Sequence, residues 1–344
     1  MKVLVPVDGS HHSNMAVETL ARAKWLQPEK IVLVNVVQPL ESFLPFQVSA
    51  DVISKEQEII AQRSEWLQKP AQFLKDNFPN CLLVDYRVKF GHPKQILINM
   101  IAREGYDLVV MGSHGRSGVE KLLLGSISQT VLELAPSAVL LTKPISEAHS
   151  KEEELDSLTN FQRILVPYDG SVYSRDAVDW LSQQHFPKGT KFHVVMAVAD
   201  FERVEKLDLT EEQCKVVKEQ WSMIKQRAFE ILEEMALQLG EQAGNENVSI
   251  DAIPGDPREV IYQEIENFKA DCIVLGSHGR TGLDKIMIGS ISLNVAQHAP
   301  IPVLVVRRMT NVEIPFDDEV MDEEPYVEEN IRSGREDRPP FTMF

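Results

Sequence analysis

One stretch of this chain occurs twice, and it limits the possible folds more than any other feature. Residues 111–128 read MGSHGRSGVEKLLLGSIS and residues 275–292 read LGSHGRTGLDKIMIGSIS, identical at 11 of 18 positions. The glycines keep one frame in both copies, Gly112-x2-Gly115-x9-Gly125-Ser126 and Gly276-x2-Gly279-x9-Gly289-Ser290. Each copy follows a short apolar run with the β-branched content of a buried parallel strand and precedes a helical pattern. A strand that empties into a glycine-rich turn and then a helix presents unpaired backbone N–H groups to an anion. Glycine is expected because a Cβ would block both a positive-φ turn and close approach of the backbone to a phosphate. The hydroxyl of Ser126 or Ser290 is placed either to cap the next helix or to donate to the same oxygens.

The duplication extends well beyond this loop. Residues 2–7 (KVLVPV) form an apolar strand ending at Asp8-Gly9-Ser10, and residues 163–168 (RILVPY) repeat it before Asp169-Gly170-Ser171. The shared string V-P-x-D-G-S-x-x-S-x-x-A-V continues into a helix in both places, with Ser13 and Ser174 matched. The offset between halves is 161 at the aspartates (169 − 8) and 164 at the glycine loops (276 − 112), so three net residues are inserted between them. Further strands are expected at 31–37, 82–89 and 138–142, and at 192–199, 248–253 and 303–306. A long helical stretch lies between the second and third strand of each half. In the first half Pro70 either kinks it or starts a second helix. In the second, Thr210 with Gln213 forms a capping box and the helix runs to about Leu239. Alternating strands and helices of this kind predict an α/β fold, here two tandem doubly wound five-stranded parallel sheets, Rossmann-like. Ligands of such sheets bind beyond the carboxyl ends of the strands, where strand order reverses. Every loop singled out above falls at that end.

The frame G-x2-G-x9-G-[ST] resembles the nucleotide-binding signature of the universal stress protein family, in its ATP-binding branch. It is neither a Walker A loop nor the dinucleotide GxGxxG. The resemblance implies two adenine-nucleotide sites. Gly112, Gly115, Gly125 and Ser126, and Gly276, Gly279, Gly289 and Ser290, would hold phosphates. Asp8 and Asp169 would lie near the adenosine, although a plain Asp-Gly turn also explains them. Val36 and Val198 would present the second-strand backbone that reads adenine. The implied ligand is ATP, with Mg²⁺ bridging its phosphates, and occupancy would bias conformation or partner choice. His114 and His278 are expected to line the loop and not to act as bases. Arg116, Lys121, Arg280 and Lys285 either neutralise phosphate charge or are solvated. With no general base or water-positioning residue in view, an enzyme is not expected. The rival readings are a slow ATPase or adenylyl-transfer enzyme, which lacks an SGG-x-D-S loop here, and an interaction module that binds no nucleotide.

Composition sets the remaining bounds. A length of 344 residues with 43% hydrophobic and 25% charged residues fits two soluble globular domains. The net charge of −17 excludes nucleic acid and anionic membrane as expected partners, since either polyanion would be repelled. Cys81, Cys214 and Cys272 are too few and too scattered for a disulfide framework or a zinc site. The opening MKVLVPVDGS has no signal-peptide anatomy and no apolar run reaches spanning length, so a cytoplasmic location is expected. The expected organisation is a first domain over 1–143, a polar linker over 144–161, a second domain over 162–309 and an acidic, disordered tail over 310–344.

The two domains are expected to pair within one chain, through the apolar last strand of each sheet, since antiparallel pairing of like edges covers both. The resemblance implies the same contact and leaves room for a further homodimer. One departure bears on it: the second half has Pro300-Ile301-Pro302-Val303 before its last strand, whereas the first has Pro136-Ser137-Ala138-Val139.

Overall fold

The computed structural model describes residues 1–38, 50–115, 124–143, 161–200, 210–279 and 288–307. The expected 144–161 linker, except Phe161, lies outside them, as do the 310–344 tail and Arg116, Lys121, Arg280 and Lys285. In the first half the strands are β1 (Lys2–Pro6), β2 (Lys30–Val37), β3 (Leu83–Phe90), β4 (Leu108–Gly112) and β5 (Ala138–Thr142). They alternate with α1 (His11–Arg22), α2 (Ala50–Asn77), α3 (Pro93–Glu104) and α4 (Ser126–Leu134). The second half repeats the plan with β6 (Arg163–Pro167), β7 (Lys191–Val198), β8 (Val248–Pro254), β9 (Cys272–Gly276) and β10 (Val303–Val306). Its helices are α5 (Val172–Ser182), α6 (Glu211–Ala243), α7 (Pro257–Asn267) and α8 (Ser290–His298).

The halves share one ten-stranded sheet in the order β3-β2-β1-β4-β5-β10-β9-β6-β7-β8. All neighbours are parallel except β5 and β10, which pair antiparallel with Leu140 opposite Leu304 and Val139 opposite Val305. The predicted edge-to-edge joining of two five-stranded sheets is therefore what the fold contains. Each half reads 3-2-1-4-5, so strand order reverses between β1 and β4 in the first and between β6 and β9 in the second. Period-two alternation of the strands feeds two apolar layers. One, with Leu33, Leu140, Val166 and Leu304, packs under α1, α2, α5 and α6, and the other, with Val34, Val139, Leu165 and Val305, under α3, α4, α7 and α8. Both layers run unbroken across the seam.

The long helices settle two expectations. Pro70 lies inside α2, which continues to Asn77, so it starts no second helix. Thr210 and Gln213 form the reciprocal capping box, and α6 runs four residues past Leu239 to Ala243. Buried Leu67, Ala71, Leu74 and Phe78 on the first helix have the same spacing as Ala228, Leu232, Met235 and Leu239 on the second. The offset is thus still 161 at the ends of these helices, and the three inserted residues fall just after, in the turn around Gly244, whose φ is +90°.

Two basic residues lock the seam. Lys143 and Arg307 follow the last strand of their halves at equivalent places, and each reaches into the other half. Arg307 donates to the carbonyls of Glu133 at 2.6 Å and Leu132 at 3.2 Å, at the C-terminus of α4. Lys143 donates to the Gln297 carbonyl at 3.0 Å, at the C-terminus of α8. Cations at helix C-termini satisfy orphan carbonyls and oppose the negative end of the dipole. Burial pushes the Lys143 amine down to about 8. The unfolded chain then binds the extra proton between about pH 8 and the ordinary lysine value of 10.5, so stability gains from Lys143 as pH rises through that window. Urea midpoints measured from pH 8 to 10 should rise relative to those of Lys143→Met, and parallel curves would show that the amine stays charged.

Candidate functional site

At the carboxyl ends of β1 and β4 a cleft of about 640 Å³ opens, lined by Asp8, Val36, Gly112, Gly115, Gly125 and Ser126. All six first-half residues singled out from sequence therefore meet in one place. The second half has a cleft of about 470 Å³ in the equivalent position, lined by Asp169, Gly276, Gly279, Gly289 and Ser290. Val198 is the exception. Tyr168 N–H bonds the Val195 carbonyl as Val7 N–H bonds Val34, and Gly255 N–H bonds Val198 as Gly91 N–H bonds Val37. The partner of Val36 is therefore Ala197, which does line the second cleft. Val198 sits one residue along, and a one-residue step on a strand turns its side chain to the other face of the sheet.

The first strand of each half delivers an aspartate. Asp8 Oδ1 accepts from Ser10 N–H at 2.9 Å, and Asp169 Oδ1 from Ser171 N–H at 3.0 Å. The glycine that follows has φ +81° in both halves, and Ser10 or Ser171 then caps the helix by accepting from Ser13 or Ser174 N–H. This turn aims the second carboxylate oxygen at the glycine loop: a Cβ on Gly115 would stand 3.1 Å from Asp8 Oδ2, and one on Gly279 2.9 Å from Asp169 Oδ2.

The six motif glycines are not there for positive φ, as was expected, because none of them has it. Close approach is the whole reason, and it takes different forms. A Cβ on Gly112 would lie 2.6 Å from the His12 carbonyl oxygen, and one on Gly276 would run into the Tyr173 carbonyl. These two glycines let the first helix of each half seat its opening turn on the sheet. Gly125 and Gly289 close the loop, donating from their N–H to the Ser113 carbonyl at 2.7 Å and the Ser277 carbonyl at 2.8 Å.

Gly125 and Gly289 are also the N-caps, with no side-chain capping bond, so Ser126 and Ser290 are the first helical residues and do not cap. Their exposed hydroxyls and the helix N–H groups behind them open on the cleft. What sequence reading missed is the second serine of the motif. Ser128 Oγ donates to the Gly112 carbonyl at 2.8 Å, and Ser292 Oγ to the Gly276 carbonyl at 2.7 Å, both buried. Repetition of GSIS in both copies was the signal for it. This pin holds each anion-facing helix start against its strand end.

The loop histidines are neighbours of aromatic rings. His114 lies 5.2 Å from the His12 ring and His278 4.8 Å from the Tyr173 ring. Burial, with Arg307 adding to it, holds the His278 imidazole below its ordinary value, and burial followed by His114 does the same to His12. Both are neutral near pH 7 and contribute polarity without charge. Among the described residues no group of three His, Cys, Asp or Glu side chains is placed to hold a metal ion. The three cysteines are free, and burial pushes the Cys272 thiol up. No helix among the described residues is long and apolar enough to cross a membrane.

Two like α/β units, each with a glycine loop and an aspartate at its switch point, define a tandem protein of the doubly wound class. The sequence model of the universal stress protein family matches residues 1–143 and 160–307, and the chain belongs to that family. A universal stress protein of Mycolicibacterium smegmatis is 26% identical over 307 residues, covering 89% of this chain and 96% of that one. Another, from Mycobacterium tuberculosis strain H37Rv, is 29% identical over 227 residues, covering 66% and 70%. Among solved structures, a universal stress protein from Archaeoglobus fulgidus superposes with a TM-score of 0.59 at 23% identity, covering 89% of this chain and 98% of that one. That likeness extends to the two-unit fold.

Proposed function

We propose that the chain binds ATP in both clefts and that occupancy biases its conformation or its choice of partner. The observation that carries this reading is the repeated juxtaposition of an uncapped helix start, a glycine loop too close for a Cβ, and an aspartate, around a cavity of 470–640 Å³. Uncapped N–H groups at a helix start suit phosphate, and the net charge of −17 makes such local donors necessary. Asp8 and Asp169 are hydrogen-bond acceptors suited to a sugar hydroxyl. Ser126 and Ser290 add hydroxyl donors beside the helix start. Val36 and its partner Ala197 supply apolar contact for a base. A Mg²⁺ ion would be held chiefly by the phosphates of the nucleotide.

No catalytic role is proposed for any residue of the clefts. The domains proposed here are 1–143 and 160–307, which moves the second boundary: Phe161, placed in the linker by composition, is buried against Trp25. Isothermal titration with ATP should give a stoichiometry near two per chain. A value near zero, with no nucleotide released from denatured purified protein, would leave the interaction-module reading in its place.

A further inference from the structure

The two clefts differ at several positions, and three equivalent ones set the contrast on the side of α2. At the offset of 161, Val7, Asn35 and Arg63 correspond to Tyr168, Met196 and Ile224. Val7, Asn35 and Arg63 all line the first cleft. In the second, buried Tyr168 stands where the first has Val7, and nearby Arg175 is paired with Glu234 at 3.1 Å. Ile224 is half exposed on α6, and among the described residues no lysine or arginine lines the second cleft.

Asn35 is 3% exposed. Its Nδ2 donates to the Val7 carbonyl at 2.7 Å, and because a carbonyl only accepts, the other amide atom is fixed as the oxygen. That Oδ1 is buried and has no hydrogen-bond donor among the described residues. A buried acceptor left unsatisfied costs stability, so its retention calls for a donor that arrives later. Arg63, half-buried on α2, lines the same cleft with five N–H donors, and among the described residues no carboxylate pairs with it. Among the described residues, then, an amide with an unpaired acceptor and a cation without an anion line one cavity. A guanidinium swung toward Asn35 would satisfy Oδ1 with one N–H and keep the rest of its fork for an anion.

We propose that Arg63, positioned by Asn35, forms a phosphoryl-binding subsite on the α2 side of the first cleft that the second cleft lacks. The proposal rests on nucleotide binding in the clefts and adds to it that the two sites select differently. The first takes a nucleotide with a phosphoryl group directed toward α2. The second, with Tyr168, Met196 and Ile224 there, is indifferent to that group. Guanidinium suits this task because its planar fork grips two phosphoryl oxygens at once.

The test uses the full chain with one site silenced, Gly279→Val leaving the first and Gly115→Val the second. Titration with adenosine, 5′-AMP, 2′-AMP and 3′-AMP separates a phosphoryl on the 5′ chain from one on the sugar. In the first site one of the phosphorylated ligands should bind more tightly than adenosine, and Arg63→Met should weaken that ligand about tenfold or more while leaving adenosine unchanged. Arg63→Lys should retain part of the gain, and Asn35→Met should lose most of it. In the second site Ile224→Arg with Met196→Asn and Tyr168→Val should create a preference that wild type lacks. The proposal is overturned if Arg63→Met leaves every ligand unchanged, or weakens adenosine as much as the monophosphates. Absence of binding by all four ligands and by ATP in either background would instead remove the nucleotide reading itself.

Discussion

Gly112→Ala and Gly276→Ala should each destabilise the fold by about 3 kcal/mol, the upper end of what overpacking costs, while Gly115→Val and Gly279→Val leave it intact and abolish binding at their own site. The glycines look alike in sequence, and the added methyl meets different things. On Gly112 it would stand 2.6 Å from a main-chain oxygen of α1, which cannot rotate away, so the helix itself must lift from the sheet. Ser128 pins the carbonyl of the same residue from the other side, which leaves the strand no freedom to yield instead. On Gly115 the nearest atom is a carboxylate oxygen at the end of a side chain, 3.1 Å away, which can give by a few tenths of an ångström. The larger valine then projects into the space between Asp8 and the start of α4. Urea melts followed by circular dichroism, with nucleotide titrations alongside, separate the two effects. Equal stability of all four variants would mean that the first helix is not held by the sheet in this way. Retained affinity in Gly115→Val would mean that the loop is only a turn.

The consequence for reading such a motif is that its frame was legible and its division of labour was not. Repetition of the glycines fixed where the loops lie, because only a strand, turn and helix at the switch point accommodates that pattern twice. Glycine, however, has no side chain to show what it avoids. Nothing in the letters distinguishes a glycine that admits a helix backbone from one that admits a ligand, and neither reason involves the positive φ that the residue type first brings to mind. The serines misled in a related way. A serine at the start of a helix is a common cap, but here Gly125 and Gly289 take the cap position because their N–H groups return to Ser113 and Ser277.

Register explains the slip at Val198. Only Asn35 in IVLVNVV and His193 in FHVVMAVA interrupt the apolar runs, so alternation marks the cleft face weakly, and it is the 161-residue offset of the aspartates that pairs Val36 with Ala197. Backbone hydrogen bonds from the neighbouring strand ends agree with that pairing. The seam between the halves was legible because two uncovered apolar edge strands leave few alternatives. Its polar and aromatic fastenings depend on side chains that approach each other across 100 residues or more, where no local pattern points. The alignment does show, in hindsight, that the fastenings come in equivalent pairs: Leu140 with Leu304, Lys143 with Arg307, and Trp25 with Phe186.

That last pair lies on the pseudo-two-fold axis and carries the second large expectation. Trp25, three residues past the end of α1, is fully buried and stacks on Phe186 at 5.2 Å with 27° between the rings. Trp180 meets it edge-on at 5.7 Å, and Phe161 closes the cluster at 6.3 Å. Because the axis relates Trp25 to Phe186, each ring is the other's own counterpart, the arrangement that a symmetric dimer interface places at its centre. Trp25→Ala should cost about 3–5 kcal/mol, as expected for removing a buried tryptophan from a packed site. Trp25→Phe should cost far less, because the indole N–H is buried without a partner among the described residues and phenylalanine carries no such group. Phe186→Ala should cost less than Trp25→Ala, since Phe186 is only partly buried. The double variant should fall short of the sum by about 1 kcal/mol, the coupling of a stacked aromatic pair. This probe is cleaner than lysine at Leu140 and Leu304. Those two leucines are fully buried in the apolar layer of their own halves, so a charge there would unfold a half as readily as open the seam. Urea denaturation read by circular dichroism gives all four numbers. Strict additivity of Trp25→Ala and Phe186→Ala would show that the halves are held by the β5–β10 ladder and the two helix-capping cations, with the aromatic rings merely filling space beside them.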